Sequence, residues 1–136
     1  MNRDRTLDSS YNGSQTRNGL SRKITQAQEA AQKWLALVDN SEYTASWSQT
    51  AAYFQNAIAA EQWEKTLQGV RQPLGKTISR KVTSTQCTTS LPSSPDGEYV
   101  VIQYRTSFEQ KKSAVETATL MLERDSTWKV AGYFIK

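Results

Sequence analysis

The chain of 136 residues predicts an α+β fold, with N-terminal helices packed on a curved four-stranded antiparallel sheet. Three observations carry this. Apolar residues recur at three- and four-residue steps from Ile24 to about Gln72, the period of an amphipathic helix. After Gly75 the pattern switches to alternation, with the Thr, Ser, Val and Ile content of strands. The last alternating stretches are joined by Glu109-Gln110-Lys111 and by Asp125-Ser126, links short enough only for hairpins. Helices first and strands afterwards is an α+β order, distinct from alternating βα units.

The elements follow in order. Residues 1–23 are rich in Asn, Ser, Arg, Thr and Gly, and Leu7, Tyr11 and Leu20 are their only sizeable apolar side chains. Such a segment buries too little to offset the entropy of ordering, so it is read as a flexible basic tail ahead of a single domain at 24–136. Ile24, Ala27, Ala31, Trp34, Leu35 and Val38 form the first helical stripe, with Thr25 as a candidate cap and Asp39-Asn40-Ser41 as its end. Tyr43 and Trp47 begin a second stretch that Ser48-Gln49-Thr50 interrupts, which predicts two short helices or one bent one. Trp63, Leu67 and Val70 place a further helix over 60–72, stopped by Pro73 and Gly75. Strands are expected at 76–89, 98–108, 112–124 and 127–135. The turn-rich run Leu91–Gly97 joins the first two.

Composition excludes much common chemistry. There is no histidine, so no Ser-His-Asp triad, imidazole acid–base step or His-ligated metal is available. One cysteine, Cys87, rules out an intrachain disulfide and multi-cysteine metal sites, and without a basic neighbour it reads as an inert thiol. No Gly-rich phosphate loop and no GxSxG motif occurs. No cofactor and no metal is expected. The net charge of +4 comes mostly from Arg3, Arg5, Arg17, Arg22 and Lys23, set against Asp4 and Asp8. The rest of the chain is nearly neutral and has no aromatic-basic stripe, so nucleic acid is not the expected partner. No apolar run approaches the ~18 residues of a membrane span. No signal peptide is visible, which places the chain as written in the cytoplasm; a leader removed beforehand would place it outside the inner membrane.

Alternation sorts the strand residues into faces. Ile78, Arg80 and Val82 share one face of the first strand; Tyr99, Val101, Gln103 and Arg105 oppose Val100, Ile102, Tyr104, Thr106 and Phe108 on the second. Large apolar groups stand in both sets, so the second strand is expected to be covered on both sides for part of its length. On the fourth, Trp128, Val130, Gly132 and Phe134 oppose Lys129, Ala131, Tyr133 and Ile135.

Glu116 is the informative position. It lies in register with Ala114, Ala118, Leu120 and Leu122, so its carboxylate points where an apolar side chain is expected. Such a group is either paired with a cation or kept protonated. Arg80 stands in the same situation between Ile78 and Val82. Two readings follow: an ion pair between inward charges near the sheet rim, or the polar floor of a pocket between sheet and helices. For the second, Glu116, Arg80, Arg105, Tyr104 and Trp47 form the candidate ligand-binding set. Trp34 and Trp63 read as core, and Trp47, beside a polar break, reads as a residue at the pocket mouth.

Several separated strings resemble a bacterial family numbered 4019 among domains of unknown function. They are Ala31-Gln32-Lys33-Trp34-Leu35-Ala36-Leu37-Val38-Asp39, then Tyr43 with Ser46-Trp47, Glu61-Gln62-Trp63, Val70-Arg71-Gln72-Pro73-Leu74-Gly75 and Ser79-Arg80. Pro95-Asp96-Gly97-Glu98-Tyr99-Val100-Val101, Ala114-Val115-Glu116-Thr117 and Trp128-Lys129-Val130-Ala131-Gly132-Tyr133-Phe134-Ile135 complete the set, over roughly residues 27–136. The resemblance implies a cystatin-like or nuclear-transport-factor-two-like roll, and homodimers through the sheet. Among its polar residues Asp39, Arg71, Arg80 and Glu116 stand out; Asp39 reads as a cap and Arg71 as a cation suited to a helix end. The expected function is a non-catalytic binding or interaction module, taking a small ligand or a protein segment in a pocket or on a sheet face. The alternative is a small-molecule isomerase or dehydratase with Glu116 as general base and Arg80 or Tyr104 steadying the developing anion.

Overall fold

The computed structural model describes the backbone of residues 11–136 and the side chains of residues 19–136. Helix α1 spans Tyr11–Asp39, α2 Tyr43–Ser48, α3 Ala52–Ala57 and α4 Ala60–Arg71, followed by a single 3-10 turn at Gln72–Leu74. Strands β1 (Thr77–Thr88), β2 (Tyr99–Phe108), β3 (Lys111–Leu122) and β4 (Trp128–Ile135) form one antiparallel sheet in sequence order. The α+β class and its helix-then-strand order are those the sequence predicts.

Helix α1 buries Ala27, Ala31, Trp34, Leu35 and Val38 against Val100, Ile102, Ala118, Leu120 and Val130 of the sheet. It starts earlier than its apolar stripe. From Tyr11 on it runs through the stretch read as a tail, and Thr25 lies within it instead of capping it. Once the buried half is nucleated, each added residue gains a backbone bond without needing burial, so Leu20, Arg22 and Lys23 extend the helix into solvent. Residues 1–10 of that tail lie outside the described residues. At the other end Ser41 adopts φ 63°, with Glu42 N–H bonded to Leu37 C=O (2.8 Å) and Ser41 N–H to Val38 C=O (3.1 Å). This is a Schellman ending, with serine in the left-handed position that glycine usually fills.

The short helices and α4 close the layer through their aromatics. Trp34 and Trp63 have ring centroids 6.3 Å apart, and Phe54 meets Trp63 edge-on at 5.0 Å. Ser46 collects the buried indole N–H groups: Trp34 Nε1 donates to its carbonyl (2.8 Å) and Trp63 Nε1 to its hydroxyl (3.1 Å). A buried indole with a satisfied N–H keeps its apolar area without an orphaned donor.

The sheet departs from simple alternation at its bulges. In β1 the register shifts between Thr77 and Ser79, which leaves Ile78 57% exposed while Arg80 and Val82 stay on the helix side. In β4 the shift lies between its Val130 and Gly132 positions, opposite Leu120 and Thr119. The extra residue, Ala131, reverses the parity that follows. Trp128, Val130 and Tyr133 therefore share the helix side and Phe134 is 50% exposed, so strict alternation misplaces the last residues of this strand. On β2 the face opposite the helices is covered only at Tyr99, whose hydroxyl donates to Pro95 C=O; Gln103 and Arg105 are exposed. The expectation of cover on both faces holds at that one end. No helix among the described residues is long and apolar enough to cross a membrane.

Candidate functional site

Two inward charges predicted from alternation meet. Glu116 on β3 lies directly across from Tyr104 on β2 and is fully buried. Arg80, one strand further, donates to it twice, Nε to Oε1 at 2.6 Å and Nη2 to Oε2 at 3.1 Å. Thr106 Oγ1 donates to Oε1 at 2.5 Å, and the Tyr133 hydroxyl donates to Oε2. Four donors thus converge on one carboxylate, which has about four lone-pair positions to offer.

The other end of the Arg80 guanidinium is also engaged. Nη1 and Nη2 donate to Asp39 Oδ2 and Oδ1 at 2.8 and 3.0 Å. Asp39, in the last turn of α1, accepts as well from Arg71 Nη2 (2.9 Å) and from Thr77 Oγ1 (3.0 Å). Its carboxylate is therefore a bridge between two arginines and not a helix cap. Burial pushes Asp39 up, but the hydrogen bonds and charge of Arg80, then of Arg71, outweigh it and hold the carboxyl below its ordinary range. Burial opposes the charge on Arg80, yet its bonds to Asp39 and Glu116 win and fix it as a cation.

Arg71, on the last turn of α4, is 4% exposed and lays its guanidinium over Phe108 at 4.9 Å from the ring centroid. Its Nε and Nη1 are buried without a hydrogen-bond partner among the described residues. The whole cluster holds two anions, Asp39 and Glu116, and two cations, Arg71 and Arg80, so the interior charge balances.

The remaining candidates divide. Tyr104 sits beside the cluster, 5% exposed, and burial together with Glu116 against the opposing pull of Arg80 raises its phenol to about 12. It lines a cleft of about 360 Å3 with Gln28, Gln32, Leu35, Arg80 and Val82, between α1 and β1. Its hydroxyl has no hydrogen-bond partner among the described residues and is not among the fully enclosed polar atoms. Arg105 is exposed on the opposite face of β2, so it does not join the set. Trp47 does not line that cleft either. It is half-buried against the core, with Nε1 donating to Ile58 C=O at 2.9 Å, and is a structural residue of the α2–α3 corner.

Sequence reasoning missed Tyr133, because the Ala131 bulge hides its parity, and Thr106, because a threonine among apolar residues looks like an ordinary strand residue. The Ala131-Gly132 pair in an otherwise bulky strand is the signal that marks such a bulge. Among the described residues no group of three potential ligands is placed to hold a metal ion.

The sequence profile of a family described as a protein of unknown function (DUF4019) matches residues 30–133, which include every member of the charge cluster. No curated protein and no solved structure matches the chain.

Proposed function

The chain belongs to the DUF4019 family of proteins of unknown function, and we propose that it is a non-catalytic binding module with its small-ligand site in the cleft between α1 and β1. The observation that carries this reading is the saturation of Glu116 by Arg80, Thr106 and Tyr133. A general base needs a lone pair within reach of a substrate proton. The isomerase or dehydratase alternative first requires breaking one of those bonds.

The cleft beside the cluster has a different character. Gln28 and Gln32 each bring a donor and an acceptor, Tyr104 brings a hydroxyl without a partner among the described residues, and Leu35 and Val82 supply apolar walls. The Arg80 charge is balanced by two carboxylates, so the cleft suits a small uncharged molecule with hydrogen-bonding edges and not an anion. The order of helices before a four-stranded sheet supports the cystatin-like or nuclear-transport-factor-two-like roll that the family resemblance implies, in which a pocket lies between helix and curved sheet.

Ligand-observed NMR with a library of uncharged carboxamide and heterocyclic fragments tests the reading. Hits are expected to perturb Tyr104 and Gln32 and to lose at least fivefold in affinity in Tyr104→Phe and Gln32→Leu. Hits that bind both variants as well as the parent protein would remove this cleft from consideration.

A further inference from the structure

A second, larger concavity lies on the other flank of α1 and goes beyond the reading above. It is a groove of about 740 Å3 between α1 and the start of β4, with α2 closing one end. Trp34, Leu37 and Trp128 line it as apolar groups, and Lys33 and Lys129 stand along it; Glu29 lines it too, which leaves the charge of the lining positive by one. Residues Gln26, Glu29, Ala30, Lys33 and Leu37 recur at helical spacing, so the α1 wall runs along about 16 Å of helix.

The opposite wall is a sheet edge. β4 is the last strand in the order, with no strand of the sheet beyond it. The chain itself shows that this edge accepts a strand. Thr50 forms an isolated parallel bridge with Val130, and Ala51 N–H donates to Val130 C=O at 2.8 Å. That cover is short, because α2 ends at Ser48 and only Thr50 and Ala51 run beside β4. Thr127 C=O accepts from Glu123 N–H on the β3 side at 2.8 Å. By the alternation of an antiparallel ladder, Trp128 then turns its own N–H and C=O the other way, onto the edge that Val130 shares. An edge left with open donors and acceptors is a template for a further strand.

We propose that this groove docks an extended peptide segment of a partner protein, which pairs with the outward backbone groups of Trp128. One apolar side chain of the segment enters between Trp34, Leu37 and Trp128. An acidic side chain two residues away, on the same face of the extended peptide, meets Lys33 and Lys129. The backbone bonds provide affinity and the two side chains provide selectivity. The positive balance of the lining is what assigns the partner an acidic residue.

A display library of random twelve-residue peptides, selected on the full chain, tests this. The selected sequences are expected to share an apolar and an acidic residue two positions apart. Their affinity is expected to fall at least tenfold on the Lys33→Glu/Lys129→Glu double variant. Neither lysine forms an ion pair among the described residues, and an unchanged circular dichroism melt confirms that the variant is folded. N-methylating alternate backbone nitrogens of a selected peptide is expected to abolish binding in one register and spare it in the other. The proposal is overturned if no sequence is selected, or if binding ignores the charge reversal or both N-methylated registers. It is equally overturned by a concentration-dependent dimer in sedimentation velocity that the double variant dissolves, since the occupant would then be a second copy. None of these readouts involves Tyr104 or Gln32, so the α1–β1 cleft stands or falls separately.

Discussion

Glu116 shows how one carboxylate is accommodated in a place built for hydrocarbon. Its two oxygens receive donors from three strands, and a desolvated ion is tolerated when its lone pairs are met in this way. Replacement by Gln keeps the shape but removes the charge, turns an amide donor toward Arg80 or Tyr133, and leaves Arg80 with Asp39 alone. We expect Glu116→Gln to cost about 3–5 kcal/mol in urea unfolding. Tyr133→Phe removes one donor of four and is expected to cost about 1–2 kcal/mol. The ranking is the test: equal costs would show that Tyr133, not the Arg80 pair, carries the site. Acid provides an independent probe. The folded pKa of Asp39 lies below its unfolded value near 3.8, so its contribution is complete above that value and is lost as pH falls through the lower folded value. Asp39→Asn, already without that contribution, is expected to lower stability at pH 7 and to flatten the decline below about pH 4. An acid limb as steep as that of the parent would mean that Asp39 gains nothing from the two arginines.

At the scale of elements, β4 has the feature that decides which side chains reach the cluster. Ala131 is an extra residue opposite β3, and everything after it is shifted by one face. This explains why Glu116 and Arg80 were legible in the sequence while Tyr133 was not. The inward position of Glu116 follows from a register held by Ala114, Ala118 and Leu120 without interruption. The position of Tyr133 depends on a defect that period-two reasoning does not contain. Asp39 and Arg71 were visible as helix-end charges, but their meeting needs the packing of α1 against α4 and β1, which no local pattern encodes. Deleting Ala131 leaves Val130, Gly132 and Tyr133 alternating opposite Leu120, Thr119 and Ala118, so Tyr133 is expected to stay inward. A residue inserted between Gly132 and Tyr133 is instead expected to turn Tyr133 outward. For the insertion, the loss of Tyr133 burial, about 2 kcal/mol, and of its hydrogen bond, about 1 kcal/mol, sets an expected cost of about 3 kcal/mol or more in a thermal melt, and the deletion is expected to cost less. An insertion variant as stable as the parent would show that the register after Ala131 has no part in placing Tyr133.

For the whole molecule, the cluster draws on α1, α4 and all four strands through Asp39, Arg71, Arg80, Thr106, Glu116 and Tyr133. A tie of this kind is expected to make the helical layer and the sheet open together. α1 divides along its length in this respect. Leu20 is 42% exposed, and Lys23 forms an exposed ion pair with Glu98, just ahead of β2, at 2.6 Å, whereas Ala27, Ala31, Trp34, Leu35 and Val38 are buried. Leu20, Arg22 and Lys23 bury little, but low burial does not stop a helix that is already nucleated further along. Amide hydrogen exchange separates the two parts. Amides from Leu20 to Ile24 are expected to exchange through local fraying at low free energy. Those from Ala31 to Val38 are expected to exchange only with global unfolding, at the same free energy as Val100 to Tyr104 on β2. In Glu116→Gln the free energies of these last two groups are expected to fall by the same amount, while the first group does not change. Protection lost from α1 but retained on β2 would mean that helix and sheet are held by apolar packing alone, and that the charges fix position without joining the two layers into one cooperative unit.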